Sequence, residues 1–389
     1  MSQVTQVETF ILTVPRTTPY LGPLGPGERV NSRGYLVRRG NGTLYPTVDR
    51  SVLVRVTTAD GAVGWGETYG ICAPRATCEI INDLLAPELI GREPDDVEQI
   101  WDDLYGLMRV RGCGSGFHTD ALAALDIALW DLRARAAGQP LWALLGERRR
   151  DTIPGYVSGL PAATVAEKVA MARAFAAQGH DAFKVHAVVS HDGIVEEMQA
   201  LRAELGDGVH LMVDLHWKFD HAQALALAGQ LLPAQLTFIE APLKPEDVAG
   251  LIALGSDSPI PVAAGEEWPT DHVARLRLVG GTLAYVQPEM GHTGITQFLR
   301  IAHLAATHGV QVAPHATIGG GIFMAASLHA STVIDGLWRH EWQHSIFSRS
   351  VEMLDTDMAY AREGYTLPSG HGLGAQPNAR FWEHAEFVA

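Results

Sequence analysis

Cysteine is nearly missing from this sequence: three in 389 residues, Cys72, Cys78 and Cys113. Three thiols cannot pair off into a disulfide framework, and no CxxC or Cys/His cluster suggests zinc, so reduced thiols are expected. Positive charge is also scarce. Lys and Arg total 29 against 44 Asp and Glu, a formal net charge of −15 at pH 7. That balance argues against nucleic acid and membrane surfaces as partners, because both reward basic patches. It leaves an anionic small molecule open, since a bound cation can dominate the field of an acidic site. No apolar run approaches the ~20 residues of a membrane-spanning helix. The opening MSQVTQVETFILTV has no basic stretch ahead of an apolar one, so no secretory leader is expected and a cytoplasmic protein is.

What is abundant is apolar and punctuating residues: 47% hydrophobic, with 40 Gly and 21 Pro. That composition supports a large core and many short connections, and the length suits a barrel with a second unit. Residues 1–125 read as an α+β unit in which ETFILTV and SVLVRVTT have strand character. HTDALAALDIALWDLRARAAG reads as a helix with Thr119 and Asp120 as its N-cap. Residues 20–47, rich in Gly, Pro and Arg, read as a lid loop, the kind of mobile segment that closes over active sites. Residues 126–350 alternate strand and helix in seven or eight βα units, which favours a parallel barrel. Residues 351–389 form an irregular tail expected to return to the first unit.

Along the barrel region, Lys184, Asp214, Glu240, Glu266, Glu289, His315 and Glu341 follow one another at intervals of 30, 26, 26, 23, 26 and 26 residues. Most end a short apolar run: AFK, HLMVD, LTFIE, PVAAGE, AYVQPE, VQVAPH. About 25 residues make one strand, one helix and two loops. The spacing therefore puts one polar group at the top of each successive strand, where a TIM-type barrel gathers its active site.

Asp214, Glu240 and Glu266 are three carboxylates on consecutive strand ends. Brought together without a cation they would repel, so they form a candidate hard-cation site, with Mg²⁺ the expected cofactor. A metal of that kind leaves positions for a carboxylate substrate and stabilises the enediolate formed when the neighbouring proton leaves. His315 is the candidate base, with Glu289 placed to orient its imidazole. His216 lies two residues beyond Asp214, on the same strand face. Lys184 and His186 form a Lys-Val-His unit, and both reach the barrel axis only if the strand bends or bulges. Glu341 is a candidate substrate contact, as are Arg29, Arg33 and Tyr45 of the lid.

Several stretches carry a family resemblance over essentially the full length: ALDIALWDLRARAAGQPLWALLG, FKVH, VDLHW, FIEAPL, AAGE, VQPEMGHTGIT and VAPHATIGGG. The chain resembles the mandelate racemase group of the enolase superfamily. The resemblance implies a modified (β/α)7β barrel under an α+β capping domain built from both ends of the chain. It also implies Mg²⁺ on Asp214, Glu240 and Glu266, and removal of a proton α to a carboxylate. The Gln-Pro-acid motif falls on Gln287-Pro288-Glu289, with Glu where the family has Asp, and its following histidine is His315. Lys184-Val185-His186 stands where the group has Lys-X-Lys. Asp214-Leu215-His216 is similar to the Asp-X-His unit of the galactonate and mannonate dehydratase branches. By that likeness His315 removes the α-proton and His216 protonates the departing β-hydroxyl, giving a 2-keto-3-deoxy acid. The expectation is a sugar-acid dehydratase (a lyase) acting on an aldonate or aldarate. A racemase or epimerase using Lys184 and His315 is the alternative, and a non-catalytic metal and sugar-acid binder a minor one. Members of the group imply a homo-oligomer, a dimer or an octamer.

Overall fold

A computed structural model describes residues 2–17, 19, 21–112, 114–187, 193–316 and 319–389. Cys113, Tyr20 of the expected lid and Asp192, with which the second barrel helix was expected to open, lie outside the described residues.

Eight strands make a single parallel sheet: Gly155–Ser158, Ala182–His186, His210–Asp214, Phe238–Glu240, Val262–Ala264, Tyr285–Val286, Gln311–Val312 and His340–Gln343. Neighbours in the sheet follow chain order, and the eighth strand pairs in parallel with the first. Val312 bridges to Leu337, just ahead of the eighth strand, which closes the ring. Helices Val165–Ala177, Ile194–Leu205, His221–Leu231, Val248–Asp257, Asp271–Arg277, Met290–Thr307 and Ile322–Val333 connect the eight strands, giving a (β/α)7β barrel. Side-chain caps start several of them. Thr164 and Glu167 form a capping box, as do Asp220 and Gln223, each satisfying backbone N–H groups that a helix start leaves open.

Strand alternation sorts the side chains. Tyr156, Ala182, Met212, Phe238 and Ala263 fill the barrel interior, while Val157, Phe183, Val185, Leu211, Val213 and Ile239 face the helices in the main core. Lys184 and His186 share the inward face with Ala182 because residues two apart in a strand point the same way. Their register is unbroken, Lys184 opposite Met212 and His186 opposite Asp214. No bulge is needed, which corrects the expectation stated for this pair.

The capping domain is built on a four-stranded antiparallel sheet ordered Ala385–Phe387, Val4–Pro15, Val48–Thr58, Val63–Tyr69. The tail thus returns to the opening strand, and it is less irregular than expected: Leu354–Asp355 pairs with Gln376–Pro377, and Gly364–Thr366 pairs with both Ala359–Ala361 and Thr152–Ile153. Helix Phe117–Ala136 lies on the sheet so closely that a Cβ at Gly64 or Gly66 would meet the Ala128 or Ala124 carbonyl oxygen at 2.1 and 1.8 Å. Only glycine permits that approach. The boundary expected at residue 125 falls inside this helix, which packs as one piece. Its start is also earlier than expected: Gly116 is the N-cap, Thr119 donates back to the Gly116 carbonyl, and Asp120 is used elsewhere. Among the described residues no helix is long and apolar enough to cross a membrane.

Candidate active site

The carboxyl ends of the barrel strands meet in one acidic, imidazole-rich cluster. Asp214 and Glu240 are register partners on the third and fourth strands, and Glu266 follows two residues after the fifth. Each has a cationic neighbour from the chain itself. The Asp214 carboxylate lies 3.0 Å from His216 Nδ1 and 3.4 Å from His186 Nδ1. Both Glu240 oxygens accept from Lys184 Nζ at 2.9 Å. Glu266 Oε2 is 3.2 Å from His315 Nε2. The closest donor sets, with atoms within 4.8 Å of one another, are therefore mixed: His186, Asp214 and His216, and Glu240, Glu266 and His315.

Lys184 is wholly buried, between Glu240 and Glu341, whose Oε1 is 3.1 Å from its Nζ. Burial opposes its charge, but these two carboxylates outweigh burial and hold the ammonium well above its usual range. It does not line the open cavity. Lys184 is thus a fixed positive charge beneath the site and not a base facing substrate, a correction that also removes the Lys184–His315 pair from the racemase expectation. Glu341 is likewise 1% exposed. It accepts from Ser158 Oγ and from Tyr156 OH at 3.3 Å, and from the Ala316 N–H at 3.3 Å. Burial pushes its carboxyl up, yet the Lys184 and His315 charges bring it down to about 2. Its Oε2 is 3.7 Å from His315 Nε2, and Glu341 is not among the residues lining the open cavity, where a substrate contact was expected.

His315 ends in a dyad. Its Nδ1 is 2.7 Å from Glu289 Oε2, and Glu289 Oε1 accepts the Gly291 N–H at 2.9 Å as the cap of the following helix. Glutamate spans the gap where the family has aspartate. Burial opposes protonation of His315, but Glu266, Glu341 and Glu289 raise it well above the usual imidazole range. Across the ring, His216 and Trp217 take left-handed φ values of 49° and 54°, a strained turn that directs the imidazole to the cavity. His186 hydrogen-bonds Ser158 at 3.1 Å, and its ring centroid is 5.4 Å from that of His216.

A cavity of about 300 Å³ opens onto Asp214, Glu266, His186, His216 and His315, a volume in the range of small-ligand pockets. Of the lid candidates, Tyr45 lines it, with its hydroxyl accepting from Asn41 at 3.0 Å. Arg29 and Arg33 do not: both are exposed on the outer surface. The buried lid arginine is Arg38, paired with Glu28 at 2.8 Å and donating to the Pro23 and Gly22 carbonyls. Sequence reasoning missed Ser158 and Tyr156, uncharged residues on the inward face of the first strand, and the pair Asp120–His292, which joins the two domains. Alternation within GYVS carried the signal for the first two.

The donor set suits a hard divalent cation. Burial, together with the Asp214 and Glu240 charges, pushes the Glu266 carboxyl up to about 8 despite His315. The part of that rise owed to Asp214 and Glu240 is repulsion among convergent oxygens, which a bound Mg²⁺ would relieve.

Residues 167–381 match the family described as enolase C-terminal domain-like, and residues 45–146 match the mandelate racemase / muconate lactonizing enzyme N-terminal domain. D-galactonate dehydratase of Pectobacterium atrosepticum is 30% identical over 354 residues, 86% of this chain and 91% of its own. D-galactarolactone cycloisomerase of Agrobacterium fabrum is 29% identical over 342 residues, 84% and 89% of the two chains. Among solved structures, an enolase-superfamily member from Agrobacterium tumefaciens is 49% identical over the full length of both chains, with a TM-score of 0.97. A racemase from Streptomyces coelicolor A3(2) with bound magnesium is 25% identical, covers 98% of this chain and 100% of that one, and gives 0.83.

Proposed function

The chain belongs to the mandelate racemase group of the enolase superfamily, and from that premise we propose that it is a Mg²⁺-dependent sugar-acid dehydratase, a lyase converting an aldonate or aldarate to its 2-keto-3-deoxy acid. One observation carries the reading: two acid-held histidines, His315 and His216, face one cavity from opposite sides of the barrel, on the seventh and third of eight strands. Dehydration needs two such groups, one to take the proton at C2 and one to give a proton to the hydroxyl leaving C3. Asp214, Glu240 and Glu266 would hold Mg²⁺, which would supply positive charge against the second negative charge developing on the substrate carboxylate.

His315, fixed at Nδ1 by Glu289, presents Nε2 to the α-proton. The Asp214 carboxylate raises the His216 imidazole against the effect of burial, which suits a general acid. It protonates the β-hydroxyl, water departs, and the enol left behind tautomerises to the keto acid. Lys184 holds Glu240 and Glu341 in place beneath these groups. The relative named D-galactonate dehydratase supports this chemistry, and the one named with bound magnesium supports the metal.

His186 favours a second reading. It occupies the second-strand position facing the cavity, so a racemase, epimerase or cycloisomerase would pair His315 with His186, as the names of other relatives allow. The deciding experiment incubates the protein and Mg²⁺ with a panel of aldonates and aldarates, detecting keto acids with semicarbazide and α-proton exchange in D₂O. Keto acid formation supports dehydration. Exchange without keto acid replaces it by the second reading, and neither signal leaves a metal and sugar-acid binder. We also infer a cytoplasmic protein assembled as a symmetric dimer or octamer, which light scattering after size exclusion would test.

A further inference from the structure

One histidine at the mouth has no part in the chemistry above. His292 lies in the single turn Met290–Thr293 between Glu289 and Gly294, where helix Met290–Thr307 breaks. Its Nδ1 is 2.7 Å from Asp120 Oδ1, on the capping-domain helix, and its ring stacks on Tyr69 with centroids 4.3 Å apart and planes at 20°. Two glycines let its turn pack closely against the capping domain. A Cβ at Gly291 would meet the Tyr69 ring at 2.9 Å, and Gly294, at φ 63°, abuts Asp126 Oδ2, where a Cβ would come within 2.7 Å. Asp126 in turn accepts the Ile295 and Thr296 N–H groups at 2.6 and 3.0 Å, capping the resumed helix. The imidazole, carried by the barrel, is therefore fixed by two capping-domain side chains. Its Nδ1 is engaged, while the ring lines the same cavity as His315 and His216 with its side chain 30% exposed.

We propose that His292 is a specificity-determining residue whose Nε2–H, held toward the cavity by the Asp120–Nδ1 hydrogen bond, donates to an oxygen on the part of the substrate remote from the reacting carboxylate. With Nδ1 bound to a carboxylate, the imidazole keeps a hydrogen on Nε2 whenever it is protonated, and Asp120 favours that form against the effect of burial. In this assignment the strand tips take the carboxylate and C2, and His292, at the joint between cap and barrel, takes a hydroxyl or second carboxylate farther along the substrate. An acid lacking an oxygen beyond C2 makes only the first set of contacts. The site accordingly selects for an acceptor beyond C2, the ligand class being polyhydroxy acids.

This inference rests on the sugar-acid reading but is tested by binding alone. Calorimetry with Mg²⁺-loaded protein would compare glycolate, which ends at C2, with D-galactonate, D-gluconate, galactarate and D-glucarate. His292→Phe keeps the ring on Tyr69 and removes the donor, and pairing it with Asp120→Asn avoids stranding the carboxylate. Asp120→Asn alone leaves the imidazole without its anchoring charge. The expected result is a loss of at least tenfold in affinity for the tightest six-carbon acid in His292→Phe and the double variant, a smaller loss in Asp120→Asn, and glycolate affinity unchanged. Equal losses for glycolate and the long acid would show a merely structural role and overturn the proposal. So would wild-type protein that binds no six-carbon acid more tightly than glycolate. Assaying keto acid in the same samples separates the outcomes: long-acid binding that depends on His292 without keto acid overturns the dehydratase reading and leaves this one intact.

Discussion

Carboxylates surround both His315 and Lys184, yet their environments give them opposite uses. His315→Asn is expected to slow α-proton exchange by at least ~10² while Mg²⁺ binding persists, because general-base groups contribute on that order; exchange at the wild-type rate would remove His315 from the chemistry. Lys184→Met leaves Glu240 and Glu341 facing each other in the barrel without their ammonium. Breaking a buried pair costs about 3–5 kcal/mol, so the metal-free variant should unfold at markedly lower urea. A midpoint equal to wild type would mean that Lys184 is dispensable to the fold. Glu266 sets a pH dependence. With its carboxyl pushed up from an ordinary 4.5 to about 8, the folded metal-free protein keeps a proton that the unfolded chain releases. That group's contribution to stability therefore falls as pH rises from 4.5 to 8. Mg²⁺ must displace the same proton, so its affinity should climb over that interval, with proton release measurable by titration in two buffers of different ionisation enthalpy. The positions of Asp214, Glu240, Glu266 and His315 were legible from spacing because each lies at, or within three residues beyond, the carboxyl end of its strand. Depth was not legible: the same spacing put Lys184 and Glu341 at the mouth, whereas they lie under it. His292 and Asp120 were illegible, since their meeting depends on how one domain seats on the other.

Among the elements, helix Met290–Thr307 works hardest, joining the His315 orienter to the domain joint through a break at Gly294. Gly294→Ala would need an alanine at φ 63° with its Cβ against Asp126, a strain of order 1–3 kcal/mol. Thermal melting should register the loss. An unchanged melting temperature would show that the break relaxes freely. In the lid, Arg38 ties residues 22–28 together. Arg38→Ala is expected to speed proteolytic cleavage between residues 20 and 47 several-fold, with substrate protection weakened; cleavage at the wild-type rate would place the restraint elsewhere. Helix starts at Thr164 and Asp220 follow the local rule that a side-chain oxygen caps the first turn. The same rule misplaced the start near Thr119, because Asp120 bonds His292 and Gly116 opens the helix. Local propensity reads caps well until a tertiary partner claims the capping side chain.

At the scale of the whole molecule, the βα alternation made the barrel legible and the capping sheet only half so, since its edge strand lies at the far end of the sequence. Phe10 pairs with Phe387 and Leu12 with Ala385, and the Thr9 N–H donates to the Ala389 carbonyl at 2.8 Å. Deleting residues 384–389 should uncover the edge of strand Val4–Pro15 and the Phe10 ring. The outcome expected is a lower melting temperature and self-association, because an open strand edge recruits partners; a monodisperse variant melting normally would make the last strand ornamental. This pairing also has a consequence in time. During synthesis the opening strand leaves the ribosome long before its partner is made, so it must wait beside an unfinished sheet while the barrel forms. Tyr69 and Asp120, which frame one wall of the cavity, belong to that late-closing domain. The capping sheet thus gains the pairing of Ala385–Phe387 only after Tyr69 and Asp120, at its other edge and on its helix, have long been made.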